Sequence, residues 1–274
     1  MKKIKFSYAS STEHNFAQRL IIKTIEKVTG RSKLEKLYNQ YSKKSNDPKQ
    51  FWTDILDVLN IKVKNRSKNK IDIPKEGSLM VIANHPFGII DGLILCSMVS
   101  KVRSDFKIMT HETLKFLPQL NDNILPVDFS GSDKDTIKHN LETAKNAKKH
   151  LSENGALIIF PSGSVSVAKN LKSEAKDDKW KTFPAKLAHQ TKADILPIYF
   201  DGKNGLLFHI FASKIKSSTL KYSSYIHETR KKIGKEITIY TGNVIKYNSI
   251  SHLKNRSELI SFLKDKTYEL KYEE

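Results

Sequence analysis

Cysteine is almost missing from this 274-residue chain: Cys96 is its one thiol, which excludes an internal disulfide framework and a cysteine-rich zinc site. Acid is scarce, with 29 Asp and Glu against 48 Lys and Arg, for a net charge of +19. Such a surplus predicts an anionic partner, whether nucleic acid, an anionic bilayer or acidic ligands. An uninterrupted apolar span is missing too. The most apolar stretch, Ser78–Ser100, carries Asn84, His85, Pro86 and Asp91, and a charge and a proline in mid-span are costly in lipid. It reads as a buried strand followed by a buried helix. There is no zinc-finger spacing and no aromatic-interleaved RNA motif, and the charge is spread through lysines rather than clustered arginines, so a nucleic-acid partner is disfavoured. No secretory signal is visible over Met1–Ser11, so the expected setting is the reducing, cytoplasmic side. What is present, 38% hydrophobic residues in a chain of one large domain or two small ones, suffices for a core without staples.

Residues 1–70 differ from the rest. They hold 17 Lys and Arg and 6 Asp and Glu, a net of +11. Ala17, Leu20, Ile21, Ile25 and Val28 recur at helical spacing, with Arg19, Lys23 and Lys27 off the stripe. A second helix is expected from Ser32 to about Lys43. A third follows Asp47-Pro48, with Phe51, Ile55, Leu56 and Leu59 on one face. Lys62–Lys70 looks like a linker. Residues 71–274 then alternate short β-rich runs with helices. Expected strands are Leu79–Ala83, Phe106–Met109, Ala156–Phe160, Ile195–Phe200, Leu206–Phe211 and Ile237–Tyr240. Expected helices are Gly92–Lys101, Thr113–Leu117, Lys134–Ser152, Lys181–Thr191, Ser218–Ile233 and Arg256–Asp265. The fold class is therefore α/β, with a mixed, mostly parallel central sheet flanked by helices and a basic helical N-terminal segment. Ile195–Phe200 and Leu206–Phe211, joined by Asp201–Gly205, read as a hairpin.

Four segments can carry chemistry. Asn84-His85-Pro86-Phe87-Gly88-Ile89-Ile90-Asp91-Gly92 follows a buried strand, the place where open α/β sheets put ligands. His85 is a candidate general base, and Asp91 can orient its imidazole. On these residues alone the alternative is that His85 sits in a turn and Asp91 caps the next helix. Phe160-Pro161-Ser162-Gly163-Ser164-Val165-Ser166 follows a second strand, and its turn can present backbone N–H groups to an oxyanion or a phosphate, or be ordinary turn chemistry. It is not a nucleophile elbow, and Ser162 is not read as a nucleophile. Asn123–Phe129, with Asp128, and Ile195–Gly202 are the third and fourth, each readable as a strand end followed by a turn.

Together, in this order and spacing, the four segments resemble the glycerolipid acyltransferase family. The match is closer to a bacterial subgroup of hemolysin-like and lyso-ornithine lipid acyltransferase-like proteins. That subgroup is similar in the His-Pro-x-Gly-x-x-Asp-Gly block from His85, in the Phe-Pro-x-Gly-x-Val-Ser block from Phe160, and in a downstream Trp, here Trp180. Phe6-Ser7-Tyr8-Ala9, Thr29-Gly30-Arg31 and Gly234-Lys235-Glu236-Ile237 look like it too. The resemblance implies direct transfer of a fatty acyl group from acyl-CoA or acyl carrier protein to the hydroxyl of a lysolipid. It implies His85 as base paired with Asp91, and Phe87, Gly88, Asp128, Phe160, Pro161, Ser162, Gly163 and Ser164 at the substrates. No metal or redox cofactor is implied, and Cys96 is expected in the core. Amides near Gly163 are the expected oxyanion donors.

The chain departs from the pattern. Five residues separate His85 from Asp91, as in the subgroup, where the wider family has four. Ser162 stands for the Glu of Phe-Pro-Glu-Gly, Phe129 where many members have Arg or Ser, and Val167 where the subgroup often has Arg. These changes weaken the case for lysophosphatidic acid and lean toward lyso-ornithine lipid or a similar amino-acid lipid. They also motivate the alternative of an inactive, lipid-binding relative. The basic, amphipathic N-terminus suits docking on an anionic bilayer, which implies a peripheral protein on the cytoplasmic face of the inner membrane. The other reading of that helix is that its apolar stripe covers the core.

Overall fold

The computed structural model describes residues 31–42, 47–68, 72–111, 122–128, 133–168, 170, 172–206, 208–209 and 218–273. The amphipathic stripe over residues 17–28, the helix expected at Thr113–Leu117, and Phe129 lie outside the described residues.

Among the described residues the chain runs α1 (Arg31–Tyr41), α2 (Pro48–Val58), β1 (Lys62–Asn65), β2 (Leu79–Ala83), α3 (Ile89–Ser100), β3 (Phe106–His111) and β4 (Ile124–Val127). It continues with α4 (Lys134–Ser152), β5 (Ala156–Ile159), β6 (Val167–Ala168), β7 (Ala175–Lys176) and α5 (Phe183–Thr191). It ends with β8 (Asp194–Asp201), α6 (Ser218–Lys232), β9 (Glu236–Thr241), α7 (Tyr247–Ile250) and α8 (Arg256–Glu269). Seven strands form one sheet in the order β1-β9-β8-β2-β5-β3-β4. From β8 to β4 all neighbours are parallel; β9 runs antiparallel to β8 and parallel to β1. The α/β class and its mostly parallel sheet are as the sequence pattern predicts.

Helices cover both faces, which is why β2 is a continuous apolar run with every residue buried. Side chains alternate along a strand. Leu79, Val81 and Ala83 therefore join one core with Tyr38, Phe51, Leu56, Ile90 and Ile94, and Met80 and Ile82 join the other with Leu151, Leu187 and Leu263. Trp52 fixes α2 to the sheet, its Nε1 donating to Asn123 Oδ1 at 2.8 Å and its ring meeting Phe106 edge-on at 5.7 Å. The apolar stretch Ser78–Ser100 is the buried strand and helix expected of it, and no described helix is long and apolar enough to cross a membrane.

Two expectations are corrected. The strand expected over Leu206–Phe211 is not seen among its described residues: Leu206, Phe208 and His209 are helical, and the antiparallel partner of β8 is β9. The Gly205 N–H donates to Glu228 Oε2 at 2.8 Å, which ties the end of this loop to α6 rather than to β8. Lys62–Asn65 is not linker but the edge strand β1, paired with β9. Val63 packs on the core while Lys62 and Lys64 face outward, and lysines at a sheet edge discourage further pairing. At the other edge, Ile124–Val127 is strand β4, where Pro126 is tolerated because an edge strand needs fewer ladder donors.

The site is positioned by strand order. From β2 the chain goes to β3 on one side, fills the gap with β5, and later crosses to β8 on the other side. The order reverses at β2, and crevices of this kind open at the carboxyl ends of the strands.

Candidate active site

The segment leaving β2 is tied to its neighbours before it reaches His85. Asn84, buried, extends the ladder with its side chain: Nδ2 donates to Phe200 O at 2.9 Å, and Oδ1 accepts from Phe200 N at 2.7 Å. The chain then turns through Phe87 and Gly88 into α3. Gly88 caps that helix at φ 75°, a region unfavourable to side chains. Asp91 lies in the first turn, so its carboxylate points back at the cap, where N–H groups are unsatisfied. Its Oδ2 accepts from Phe87 N at 2.9 Å, from Gly88 N at 3.0 Å and faces His85 Nδ1 at 3.0 Å. The capping role and the orienting role of Asp91 are thus one arrangement. The five-residue spacing is accommodated because the Phe87-Gly88 turn folds back on the helix.

Asp91 is fully buried, and burial pushes its pKa above the usual carboxylate value; the His85 hydrogen bond and charge and the two amides pull the other way. With Asp91 ionised, the shared proton sits on His85 Nδ1 and the lone pair is on Nε2. The imidazole lies against Phe160, with centroids 3.9 Å apart and planes at 23°, so the ring is held on a face as well as at an edge.

A second carboxylate, which sequence reasoning missed, holds the backbone of His85. Asp177 Oδ1 accepts from His85 N at 3.1 Å and from the Ser166 hydroxyl, and Oδ2 accepts from Trp180 Nε1 at 2.7 Å. Ser166 N donates to His85 O at 2.8 Å, and Tyr268 OH accepts from Asp177 N at 2.9 Å. Burial raises the Asp177 pKa, and the Ser166, Trp180 and His85 hydrogen bonds oppose the rise. The only signal in the sequence is an acid three residues before Trp180, inside a stretch of lysines.

The Pro161–Ser164 turn lies beside the dyad but is satisfied within itself. Gly163 N donates to Phe160 O at 3.0 Å, and Ser162 Oγ donates to Ser164 O at 2.7 Å. Of the amides near Gly163 expected to stabilise an oxyanion, that of Gly163 itself is already used, because the turn closes on Phe160 O. Lys181 N donates to Pro161 O at 2.8 Å and locks the turn to the Trp180 segment. Asp128 is placed elsewhere. It follows β4, three strand intervals from β2, or about 14 Å at the usual spacing. There it accepts from Thr136 Oγ1 at 3.2 Å, and its backbone is bracketed by Asn140. The structure brings together His85, Phe87, Gly88, Asp91 and Phe160 with the Pro161–Ser164 turn, and leaves Asp128 at the sheet edge.

The site is chemically a base–orienter pair at the carboxyl end of an α/β sheet, able to take a proton from a hydroxyl. The comparisons with known proteins agree with that class. The model of the acyltransferase family matches residues 13–273, and the chain belongs to this family. It is similar to a lyso-glycine lipid O-acyltransferase of Phocaeicola vulgatus, 26% identical over 221 residues that cover 78% of this chain and 75% of that protein. A lyso-glycine lipid O-acyltransferase of Bacteroides thetaiotaomicron is 23% identical over 264 residues, covering 94% of this chain and 92% of that one. Among solved structures, the 1-acyl-sn-glycerophosphate (LPA) acyltransferase PlsC from Thermotoga maritima shares the fold, with a TM-score of 0.50 and 14% identity over 82% of this chain and 77% of that one.

Proposed function

We propose that this acyltransferase moves a fatty acyl group from a thioester to the hydroxyl of a lysolipid, and that the acceptor is an N-acylated amino acid, with lyso-glycine lipid as first choice. The observation that carries the chemistry is the 3.0 Å contact between His85 Nδ1 and Asp91 Oδ2. The amino-acid acceptor is supported by the two lyso-glycine lipid relatives and by the loss of acidic and basic residues at Ser162 and Val167.

In this reading His85 Nε2 takes the proton of the acceptor hydroxyl as its oxygen attacks the thioester carbonyl carbon. The C–O bond forms, the C–S bond breaks, and the imidazolium returns the proton to the departing thiolate. Asp91 stabilises the imidazolium during the step. The donor is acyl carrier protein or acyl-CoA; a basic chain suits the anionic character of either. The acceptor lies in a bilayer, and we place the enzyme on that surface through the basic N-terminal 70 residues.

The test is acyl transfer by the purified protein, offering both thioesters with a panel of lysophospholipids, lyso-glycine lipid and lyso-ornithine lipid, beside His85→Ala. Product from an amino-acid lipid that vanishes in His85→Ala is expected. Product from lysophospholipids alone overturns the acceptor, and no product from any pair leaves the reading of a lipid-binding relative with a dead site. Docking is checked by flotation with anionic vesicles of the full chain carrying Arg19, Lys23 and Lys27→Gln; unchanged flotation sinks the N-terminal anchor.

A further inference from the structure

The β8 side of the dyad differs from the β5 side. On the β5 side Asp177 and the Gly163 amide have partners. On the β8 side a cation has no ion-pair contact among the described residues. Lys232, half-buried at the end of α6, holds its ammonium 4.2 Å from the Phe87 ring centroid. Among the described residues it makes one hydrogen bond, to Lys203 O at 3.3 Å. Among the described residues no carboxylate lies within 4.0 Å of it. Its neighbour Lys231 is the one paired, with Glu228 Oε1 at 3.0 Å, and the other Glu228 oxygen takes Gly205 N. An ammonium has three donors and is costly to desolvate without a counter-ion. Consistent with that, burial lowers the Lys232 pKa, while the charges of Glu228 and Asp91 oppose the fall.

The same flank holds a second orphan. Asn204, 3% exposed, has no partner for either Oδ1 or Nδ2 among the described residues. The loop that carries it presses on the site: a Cβ on Gly202 would fall 2.7 Å from Phe87 Cζ. Phe87 itself is two residues from His85 and donates to the catalytic oxygen of Asp91.

We propose that Lys232 is the counter-ion for the carboxylate of the lysolipid acceptor, held on the β8 flank beside Phe87. The assignment rests on the amino-acid lipid reading above. A glycine headgroup is two carbons long, so its carboxylate binds close to the hydroxyl that reacts. The phosphates of a thioester donor lie at the far end of a long pantetheine arm and need no cation this near the base. One ammonium offers a point charge sufficient for a monoanionic carboxylate, without the bidentate fork that a guanidinium gives a phosphate.

The test uses the full-length enzyme and compares wild type, Lys232→Gln and Lys232→Arg on lyso-glycine lipid and on its methyl ester, with either donor. Melting curves check that each variant folds. The expected result is a KM for the carboxylate form raised roughly 10- to 100-fold in Lys232→Gln, the size of a lost charged hydrogen bond. The ester should be unaffected, and Lys232→Arg should restore part of the difference. Equal loss on acid and ester, or a rise in donor KM instead, overturns the assignment. So does wild-type transfer with no dependence on Lys232. Binding of a short-chain N-acylglycine, measured by calorimetry, separates the two ideas. Lys232-dependent binding without transfer supports the anchor and sinks the acyl-transfer reading. Transfer without Lys232-dependent binding does the reverse.

Discussion

His85 Nδ1 lies 3.0 Å from Asp91 Oδ2, and that oxygen also accepts the amides of Phe87 and Gly88 while Oδ1 has no described partner. A single oxygen therefore meets the His85 ring, the turn before α3 and the first turn of the helix. His85→Ala should lower kcat roughly 10²- to 10⁴-fold, the usual share of general acid–base catalysis. Asp91→Asn can keep its oxygen on the three donors and lose only the charge, so kcat should fall at least about tenfold with the fold intact. Its stability follows from linkage. Burial raises the folded-state pKa of Asp91 above its ordinary value. Its favourable contribution is thus present at low pH and is lost as pH rises through the folded value. Above that value the buried charge is a liability, and Asp91→Asn should there melt no lower than wild type. A fall of several degrees in that range would contradict this account.

Asp177 accepts from the His85 amide, the Ser166 hydroxyl and the Trp180 indole, so in the proposed mechanism it positions His85 rather than meeting the substrate. In Asp177→Asn one of these donors meets an NH2. The expected cost is about 1–3 kcal/mol of stability. Because the base is displaced and the binding surfaces are not, kcat should fall with KM nearly unchanged. A variant that is less stable but has wild-type kcat would reduce Asp177 to a structural residue.

Sequence order alone placed β2, β5, β8 and the long helix α4 well, because each is an apolar run or a capped, periodic stretch; Asp133 caps α4 by accepting from Asp135 N and Thr136 N. The meeting of His85 with Asp91 was legible because the two follow a buried strand within one short block. What was not legible depends on contacts across the chain. Asp177 is 92 residues from His85, and nothing local marks it. β1 hides behind lysines that reflect its position at an edge, and Leu206–Phe211 has a strand-like composition although Gly205 before it is tied to Glu228 of α6. The Gly163 amide looked free because a Pro-Ser-Gly-Ser sequence does not reveal that its turn closes on Phe160.

Gly88 meets two limits at once. Its φ is 75°, and an added Cβ would sit 3.3 Å from Val165 Cγ2 and 3.7 Å from Tyr225 Cδ1. Gly88→Ala should destabilise by about 1–3 kcal/mol from the backbone alone. It should also lower kcat, since the Gly88 amide helps hold Asp91. A variant with full kcat and an unchanged melting curve would show that the turn relaxes freely.

Cys96 is buried in α3, and burial pushes its thiol well above the ordinary value, so the thiolate needed for nucleophilic attack is suppressed. Cys96→Ala should keep transfer within a few fold of wild type, at a modest cost in stability. Native enzyme should resist thiol reagents that label it once unfolded. Loss of transfer on Cys96→Ala with the fold intact would reopen an acyl-enzyme route.

At the opposite end of the sheet Arg103, 3% exposed, clamps the loops before β2, before β3 and before β5. Its guanidinium forks onto Asp105, with Nε at 2.9 Å and Nη2 at 2.6 Å, and reaches Gly77 O at 2.7 Å and the Asn154 carbonyl. Lysine cannot reproduce a fork with backbone acceptors on two sides, so Arg103→Lys should cost about 1–3 kcal/mol with no change in KM. The Arg103 hydrogen bond holds the Asp105 carboxyl below its usual pKa against the pull of partial burial. A depressed carboxylate contributes stability that is present above the unfolded value and is lost as pH falls through the folded one. Wild type should therefore lose melting temperature below about pH 4, and Asp105→Asn should lose less over the same interval. Because the Asp105 side chain is 46% exposed, the contribution is screened, and added salt should shrink the difference between the two proteins. Parallel acid profiles for wild type and Asp105→Asn at low salt would show that the pair does not contribute to acid stability and that Arg103 acts through its backbone acceptors alone.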